Sequence, residues 1–337
     1  MLRVYHHPNS LLHEMGPDHL EAPVRVEIIE NELKKAEYDV SFQEARYATE
    51  KEIMETHSNN LYELVEQSKN TDRYFFTMDT ISNRKTYDAS LTAAGGAIQI
   101  AENIKEVDNQ FAMLRPPGHH ATWDSAMGFC FFNNIALTAN TLLANQTSRI
   151  AIIDVDHHHG NGTQDLFYMS PNVLYTSMHA DPKVAFPGTG FPTDVGVGDG
   201  EGYTINIPLP IQTHDPEYLV GFDQILTPSI ENFKPEVILV SLGLDGLFED
   251  PYGILALSTD GFFDIGRRVG SLAKKLTNSK VGVILEGGYN YQEIGVATTK
   301  FFEGLQNPEF DQRVTPELNF RFKQVLDKVK QINKQYW

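Results

Sequence analysis

The sequence predicts an α/β fold in which a parallel sheet carries the functional groups. Apolar runs begin at Ile150, Val237 and Val281, and such runs are typical of strands buried on both faces. Each run passes into polar or glycine-rich sequence, where parallel strands deliver functional groups at their carboxyl ends. Helical segments are predicted between these runs, for example at residues 259–275.

The N-terminal third is predicted to alternate between a strand and helices. Residues 2–5 are predicted as a first strand, and residues 24–36 as a helix because their apolar positions recur at helical spacing. Residues 47–68 are predicted to be helical from about Thr49, which forms a capping-box pattern with Glu52.

Two adjacent segments have contrasting compositions. Residues 71–90 are polar and aromatic and are predicted as a surface loop, whereas residues 91–104 are small and apolar and are predicted as a buried helix. Gly95 and Gly96 would let that helix pack closely. Further helices are predicted at 135–143, 216–233 and 316–332, and further strands from Phe111 and at 173–178, 203–208 and 281–285.

Composition and charge restrict the class of protein. The chain has 337 residues, of which 41% are hydrophobic, so it can bury a large core as one α/β domain or two smaller ones. Its net charge of -18 argues against nucleic-acid binding through phosphates and favours cationic substrates. An acidic surface also serves solubility alone.

Cysteine content and the N-terminal sequence predict a cytoplasmic protein. Cys130 is the single cysteine, which excludes an internal disulfide and fits a reducing compartment. We expect no signal peptide, because His6 and His7 interrupt the N-terminal segment. We also expect no membrane association, because no apolar run is long enough to span a bilayer.

The stretch 149–163 is the most informative part of the chain. After a buried strand it presents two aspartates and three consecutive histidines, followed by Gly-Asn-Gly. Side chains alternate along a strand, so Asp154, Asp156 and His158 share one face while the chain stays extended. Carboxylates and imidazole without thiolate suit zinc, and iron(II) or cobalt are also possible. Asp156 and His158 are therefore predicted as two ligands of a metal site.

A third ligand is expected from another strand end, because catalytic zinc keeps three protein ligands and leaves a position for water. Asp245, at the end of the run from Val237, is the candidate. The alternative is that these side chains cap the next helix or form hydrogen bonds within a turn. Five ionisable residues in the six positions 154–159 favour the metal site.

Two further groups carry polar side chains suited to hydrolysis. His119 and His120 follow a rigid Pro-Pro-Gly turn and suit proton transfer, although alone they would be interpreted as solvent-facing loop residues. Tyr289 ends the last buried strand and could donate a hydrogen bond to a developing oxyanion, or be an ordinary rim tyrosine. Phe186, in a loop rich in glycine and proline, is predicted to line a channel.

Five motifs together resemble the zinc-dependent histone deacetylases and acetylpolyamine amidohydrolases. In family order they are Arg115-Pro-Pro-Gly-His-His120, Gly128-Phe-Cys-Phe-Phe-Asn-Asn134, Asp154-Val-Asp-His-His-His-Gly-Asn-Gly162, Gly243-Leu-Asp245 and Glu286-Gly-Gly-Tyr289. The resemblance covers residues 1–305 as a catalytic domain and leaves residues 306–337 as a C-terminal helical extension. It implies a single-domain, open, mainly parallel sheet with helices on both faces, related to arginase.

The resemblance also implies roles for the site residues. The zinc ligands would be Asp156, His158 and Asp245, in agreement with the spacing. The catalytic group would comprise His119, His120, Asp154, Asn161 and Tyr289. Within that group Asp154 would orient His119, Asn161 would lie behind His120, and Tyr289 would polarise the acetyl carbonyl.

Cation and substrate sites are implied in the same way. A monovalent cation, usually potassium, would bind Asp154, Asp156, Ser177, His158 and Met178. A second one would bind at Phe167, Val173 and Tyr203. The substrate-binding residues would be Gly128, Phe129, Phe186, Tyr252 and Asp88. Phe129 and Phe186 resemble the two walls of an acyl-lysine channel, and Asp88 resembles a rim aspartate that grips substrate amides.

The implied reaction releases acetate and a free primary amine from an N-acetylated amine. Several short motifs are closer to the polyamine enzymes, but Tyr252 stands where a specialised polyamine deacetylase has a gatekeeper glutamate. The loop between Tyr74 and Leu91 is also shorter than the dimer-forming insertion of the polyamine enzymes. Acetyl-lysine proteins or peptides and acetylpolyamines therefore both remain open as substrates, and a homo-oligomer is possible.

Two alternatives come from other functional classes. An arginase-like ureohydrolase would need a second Asp-x-Asp pattern late in the chain, where Gly243-Leu-Asp-Gly246 has one acid. A catalytically silent protein that binds acetylated amines would usually lack a metal ligand or the tyrosine, and this sequence retains all of them.

Overall fold

A computed structural model of the chain describes residues 1–309 and 317–337. Its strands are β1 (Leu2–His6), β2 (Val40–Glu44), β3 (Tyr74–Phe75), β4 (Ile81–Ser82), β5 (Asn109–Ala112), β6 (Ile150–Asp154), β7 (Val173–Ala180), β8 (Thr204–Leu209), β9 (Val237–Leu242) and β10 (Val281–Leu285). Eight of them form one parallel sheet in the order β2-β1-β5-β10-β9-β6-β7-β8. This confirms the predicted open parallel sheet.

The central strands are buried along their whole length, as their apolar sequences predict. All residues of β6, β7, β8, β9 and β10 are buried. Since both faces of a parallel sheet are covered, such strands do not alternate between apolar and polar residues. In the register of the sheet, Asp154 lies opposite Ser177 of β7 and Ser241 of β9, so polar groups of three strands meet at one edge.

Helices cover both faces of the sheet. They are α1 (Val24–Leu33), α2 (Glu50–Met54), α3 (Asn59–Ser68), α4 (Thr86–Asn103), α5 (Asn134–Ala144), α6 (Asn161–Phe167), α7 (Asp215–Gly221), α8 (Thr227–Phe233), α9 (Thr259–Leu276), α10 (Ile294–Gln306) and α11 (Phe320–Asn333). Apolar residues of α1 and α7 to α11 share one core with the sheet, and those of α4 to α6 share a second. A third cluster contains apolar residues of α2, α3 and α4. A π-helical turn, Phe222–Leu226, joins α7 to α8.

The segment 47–68, predicted as one helix, contains two. The capping box of Thr49 and Glu52 begins α2 as predicted, but α2 ends at Met54 and the side chain of Ser58 caps α3. The break buries His57, whose ring nitrogens contact the Thr122 carbonyl at 2.8 Å and the backbone N–H of Asn133 at 2.8 Å. These partners are distant in sequence, so local helical pattern does not reveal them.

One other local prediction is corrected, and one strand was not predicted. Residues 71–90, expected as a surface loop, contain the antiparallel hairpin β3–β4 and the first turn of α4. The strand β2 was not predicted, because its five residues are only partly buried and lack a strong apolar run. It forms the edge of the sheet beside β1.

The C-terminal helix packs on the body of the protein. Phe322, Leu326 and Val329 of α11 are buried in the larger core, and the Trp337 indole donates a hydrogen bond to the Gly202 carbonyl at 2.7 Å. Residues 310–316, which include part of the predicted C-terminal extension and the start of the helix predicted at 316–332, lie outside the described residues. Within the described ranges, the helices are too short or too polar to cross a membrane.

Candidate active site

The site lies where four neighbouring strands end. The segments that follow β5, β6, β9 and β10 supply the histidine pair, the Asp-x-His pair, Asp245 and Tyr289 respectively. Because these strands are parallel and adjacent, their carboxyl ends meet at one edge of the sheet. The order of strands therefore brings together residues that are more than 150 positions apart in the chain.

Asp156, His158 and Asp245 form a compact cluster of potential metal ligands. One donor atom from each residue lies within 4.8 Å of the others. The His158 Nδ1 atom is 3.4 Å from Asp156 Oδ1 and 3.0 Å from Asp245 Oδ2. Both carboxylates are buried, at 1% and 0% exposure, and burying two like charges together is costly without a cation.

The surroundings of the cluster fit a divalent cation such as zinc. One nitrogen and two oxygen donors, without sulfur, match a catalytic site that keeps a fourth position open. Gly287 leaves room beside them, since a Cβ atom there would overlap Asp245 Oδ2 and lie 2.7 Å from Asp156 Oδ2. Its backbone N–H donates to Asp156 Oδ2 at 2.8 Å, which fixes that carboxylate.

The electrostatics of the cluster also show a need for positive charge. Burial alone would lower the pKa of His158, but Asp156 and Asp245 raise the pKa to about 10. Burial would likewise lower the pKa of His119, but Asp156 and Asp154 raise it to about 10. The buried carboxylates therefore create a local negative field that a bound cation would neutralise.

The histidine pair has the predicted partners. The His119 and His120 rings lie side by side, with centroids 4.0 Å apart. The His119 Nδ1 atom is 3.1 Å from Asp154 Oδ2, and the His120 Nδ1 atom is 2.8 Å from Asn161 Oδ1. Burial and the neighbouring charge of His119 hold the pKa of His120 well below its ordinary value. The pair therefore favours one protonated and one neutral ring.

A glycine is required beside the His120 ring. Gly128 has a φ of 55°, in the left-handed region, and a Cβ atom there would overlap the His120 ring. The next residue, Phe129, also has a positive φ of 69°. Such a conformation is strained for a bulky residue and is found mostly at functional sites. Here it turns the Phe129 side chain into the cleft.

Tyr289 is held from behind by a buried ion network. The Arg25 guanidinium lies 4.9 Å from the centre of the Tyr289 ring and donates to the Gly288 carbonyl at 2.7 Å. Glu21 pairs with Arg25 at 3.0 Å and with Arg115 at 2.5 Å, and all three side chains are fully buried. Burial raises the pKa of Glu21, but the two guanidinium groups outweigh it and lower the pKa to about 2.

The cleft that leads to the cluster is narrow, with a volume of about 140 Å³. Its lining includes the predicted residues Gly128, Phe129, Phe186 and Tyr252, as well as His119, His120, Asp156, His158, Asp245 and Tyr289. The Phe186 ring contacts the His120 ring edge to face, with centroids 5.0 Å apart. The Tyr252 ring lies 5.0 Å from that of Tyr289. Aromatic rings therefore form much of the wall.

The predicted rim residue Asp88 is not among the residues that line the cleft. Asp88 lies in the first turn of α4 and does not line the cleft. The carboxylate at the rim belongs to Asp79, in the tight turn between β3 and β4. The sequence did not reveal this because the hairpin itself was not predicted.

The residues predicted for monovalent cations lie in two groups near β7. Asp154 and Ser177 are opposite each other in register, and the Ser177 hydroxyl is 2.7 Å from His179 Nδ1. Met178 is fully buried next to Ser177. The second group lies around the start of β7 and consists of Phe167, Val173 and Tyr203.

The chain is similar to known proteins over most of its length. A histone deacetylase domain matches residues 19–305. A protein of Archaeoglobus fulgidus named probable deacetylase is 35% identical over 98% of this chain and 97% of its own. The chain belongs to the histone deacetylase family. It is therefore a member of a family of hydrolases that remove acetyl groups.

Plant members of the histone deacetylase family show the same relationship. Histone deacetylase 15 of Arabidopsis thaliana is 34% identical over 87% of this chain, which spans 53% of that protein. The crystal structure of the HDA15 HD domain superposes with a TM-score of 0.92 at 32% identity, covering 100% of this chain and 95% of that one. The deacetylase fold predicted from the sequence is thus confirmed.

Three supporting carboxylates of the deacetylase site were not assigned roles from the sequence. Glu286 Oε2 accepts the backbone N–H groups of Gly118 and His119 at 2.7 and 3.1 Å. Asp250 Oδ2 accepts the Tyr289 backbone N–H at 2.6 Å. Burial raises the pKa of both Glu286 and Asp250 to about 7. Glu21, the third, pairs with Arg25 four residues away and with Arg115, which is 94 residues further along the chain.

Proposed function

We propose that the protein is a zinc-dependent deacetylase that hydrolyses N-acetylated primary amines to acetate and the free amine. The observation that carries this proposal is the convergence of Asp156, His158 and Asp245 with the histidine pair and Tyr289 at the base of one narrow cleft. Family membership supports the deacetylase chemistry, and the donor set supports the metal.

Asp156, His158 and Asp245 would hold the metal, and the neighbouring residues would position substrate and move protons. When bound, zinc supplies a Lewis acid that polarises the acetyl carbonyl and lowers the pKa of water. The Tyr289 hydroxyl donates a hydrogen bond to the carbonyl oxygen as negative charge develops there. Burial raises the pKa of Tyr289 well above its ordinary value, so the phenol keeps its proton for this purpose.

The histidine pair divides the two proton transfers. His120, next to the neutral amide of Asn161, is the neutral ring and accepts a proton from the attacking water at Nε2. His119, next to the Asp154 carboxylate, is the protonated ring and delivers a proton to the amine nitrogen as the C–N bond breaks. The water oxygen ends in acetate, and the nitrogen leaves as a primary amine.

The cleft favours an acetyl-lysine side chain. Its aromatic walls suit a methylene chain, and Asp79 at the rim could accept amide N–H groups that flank such a side chain. Tyr252 lines the wall with a neutral phenol, so a second amine of a polyamine would gain no buried counter-charge there. Acetylpolyamines are the second candidate, supported by the net charge of -18.

We also propose that a monovalent cation such as potassium binds near Asp154 and Ser177, and a second near Phe167, Val173 and Tyr203. Support for the first comes from the buried carboxylate and hydroxyl that face each other across β6 and β7. Oxygen donors of this kind suit hard cations.

The test combines metal analysis with parallel kinetics. Purified protein is expected to contain one zinc per chain and to release acetate from an acetyl-lysine peptide with a higher kcat/KM than from acetylspermidine or acetylputrescine. Asp245→Ala should lose the metal and the activity together, because it removes one of three ligands. Metal-free wild-type protein that binds the peptide without hydrolysis would instead indicate a silent binding protein, and full zinc content in the variant would exclude Asp245 as a ligand.

A further inference from the structure

A groove separate from the catalytic cleft runs along the β8 edge of the sheet. Its volume is about 510 Å³, within the range of about 300–1,000 Å³ that small-molecule sites occupy. Three segments form it: the loop 181–192, the end of β8 with the residues that follow, and the outer face of α11. The C-terminal helix thus forms one wall of the groove.

The groove concentrates unpaired positive charge. Lys183, Arg321 and Lys328 line it, whereas Asp181 is its one carboxylate and already accepts the backbone N–H of Lys183 at 3.0 Å. Across residues 1–309 and 317–337, these three cationic side chains form no hydrogen bond or ion pair. In a chain of net charge -18, such a cluster favours an anionic ligand.

Apolar side chains form the rest of the groove surface. Val184, Phe191 and Ile211 are 59%, 38% and 54% exposed, and all three line the same groove. Single exposed apolar residues are common, but a group of them within a concave surface is typical of a binding site. The groove therefore offers cationic groups for an anionic head group and an apolar surface for a hydrocarbon chain.

Where it borders the groove, the sheet edge cannot bind a ligand as an extra strand. The Leu209 carbonyl accepts the Asp181 N–H at 2.9 Å, so the backbone groups of Leu209 face β7. In the part of this edge that lines the groove, the positions that face outwards are Pro208 and Pro210. Proline has no N–H to donate. Recognition here must therefore depend on side chains, which disfavours an extended peptide.

We propose that this groove binds an amphiphilic anion, namely an acyl or alkyl chain that ends in a single carboxylate or phosphate. The chain would lie on Val184, Phe191 and Ile211, and the head would be held by Arg321 and Lys328. A long polyanion such as nucleic acid fits poorly, because beyond the groove it would meet a negatively charged surface.

The groove and the catalytic cleft share one loop. Residues 181–192 place Val184 and Phe191 in the groove and Phe186 in the cleft. The end of this loop is fixed by two buried histidines, since His159 Nδ1 is 2.8 Å from the Thr189 hydroxyl and His179 Nε2 is 2.9 Å from the Gly190 carbonyl oxygen. Phe186 lies between Val184 and Phe191 in this loop, so a ligand that contacts those two residues would also change the position of Phe186 and the KM for substrate. This second part of the proposal rests on the proposed deacetylase function.

Calorimetric titration with decanoate and with decyl phosphate tests the binding step on the full chain. Both probes, or the one with the preferred head group, should bind saturably to wild-type protein. Lys328→Glu should weaken binding about tenfold, because it removes one charge-assisted contact with the head group. Lys323→Glu is the matched control, because Lys323 is exposed on the same helix and does not line the groove. It should change the affinity less than twofold.

A chain-length series and a kinetic assay complete the test. Ile211→Ser should weaken decanoate binding severalfold and leave butyrate binding unchanged, because only the longer chain reaches the apolar surface. Equal effects of Lys328→Glu and Lys323→Glu, or no saturable binding to wild-type protein, would overturn the site. Binding that leaves the KM for acetyl-lysine peptide unchanged would overturn only the coupling to the cleft, and an inactive protein would still permit the calorimetric test.

Discussion

At the scale of single residues, Tyr289 combines a buried position with a polar function. Its ring is 4% exposed, its backbone N–H is held by Asp250, and Arg25 lies over its face. These contacts fix the orientation of the ring, so its hydroxyl is directed into the cleft. Such preorganisation stabilises developing charge without reorganisation during the reaction.

Tyr289→Phe should lower kcat by about 10²–10³ and leave zinc content unchanged, because it removes one donor to the oxyanion. Steady-state kinetics with an acetyl-lysine peptide and metal analysis measure the two effects. Tyr252→Phe, which removes a phenol from the same cleft, should change kcat less than about threefold. Equal kcat values for wild-type protein and Tyr289→Phe would remove the tyrosine from the mechanism.

Glu21 should make the stability of the fold depend on pH. Glu21→Gln leaves the buried guanidinium groups of Arg25 and Arg115 without a counter-charge, which should cost about 3–5 kcal/mol of the free energy of unfolding at pH 7. The folded-state pKa of about 2 lies below the unfolded value. The stabilisation is therefore complete above about pH 4.5 and is lost as pH falls towards 2.

Urea denaturation of wild-type protein and Glu21→Gln at several pH values measures this difference, which should shrink as the pH is lowered below about 4.5. Glu27→Gln is the control, because Glu27 is an exposed acid in the nearby helix α1. A constant difference between wild-type protein and Glu21→Gln at all pH values would show that the charge of Glu21 is not the stabilising feature.

At the scale of elements, the helix α4 depends on a close backbone approach. The sequence predicted that Gly95 and Gly96 allow close packing, and the structure shows what they pack against. A Cβ atom at Gly95 would overlap the Arg46 carbonyl oxygen and lie 2.8 Å from the backbone nitrogen of Ala48. Both contacts are with main chain, so they cannot be relieved by a rotamer change.

Gly95→Ala should therefore destabilise the protein by about 1–3 kcal/mol, although alanine is favoured over glycine by about 1 kcal/mol within a helix. Thermal and urea unfolding measure the change. Greater stability of Gly95→Ala than of wild-type protein would show that the segment of Arg46 and Ala48 moves away at low cost.

The elements that the sequence predicted are those whose determinants are local. The apolar runs of β6, β9 and β10 and the capping box at Thr49 depend on neighbouring residues, and the structure confirms them. The helix break near His57 and the hairpin β3–β4 depend on distant partners. That hairpin, which was not predicted, places Asp79 rather than Asp88 among the residues that line the cleft.

The candidate site shows the same difference between residues with local determinants and residues held by distant partners. The proposed metal ligands follow strand ends, so their position in the chain was enough to suggest them. The histidine pair follows a rigid turn and became a candidate only together with the acid-rich strand end. The groups that hold them are contacts between remote segments. Glu286 reaches the turn at His119, and Arg25 reaches the carbonyl of Gly288. Such pairings are visible only once the strand order is known.

At the scale of the whole molecule, the net charge of -18 should attract cationic substrates over long range. An acetyl-lysine peptide flanked by lysines should have a lower KM than the same peptide flanked by glutamates. The KM of the glutamate-flanked peptide divided by that of the lysine-flanked peptide should fall towards 1 as salt rises from about 0.05 to 0.5 M, since the Debye length is about 10 Å at 0.1 M and shortens with salt. A ratio that does not change with salt would assign the preference to short-range contacts in the cleft.

The strand order has a consequence for how the protein is made. The strands β2, β1 and β5 form one half of the sheet and β6, β7 and β8 the other, and only β10 and β9 connect the halves. Those connecting strands are encoded late, at residues 237–285. Until these two strands have been translated, each half of the sheet has an unpaired edge strand, and the two halves cannot form one sheet. The nascent chain therefore acquires a continuous sheet only after residues 237–285 have been synthesised, the part of the chain that also contains Asp245 and directly precedes Tyr289.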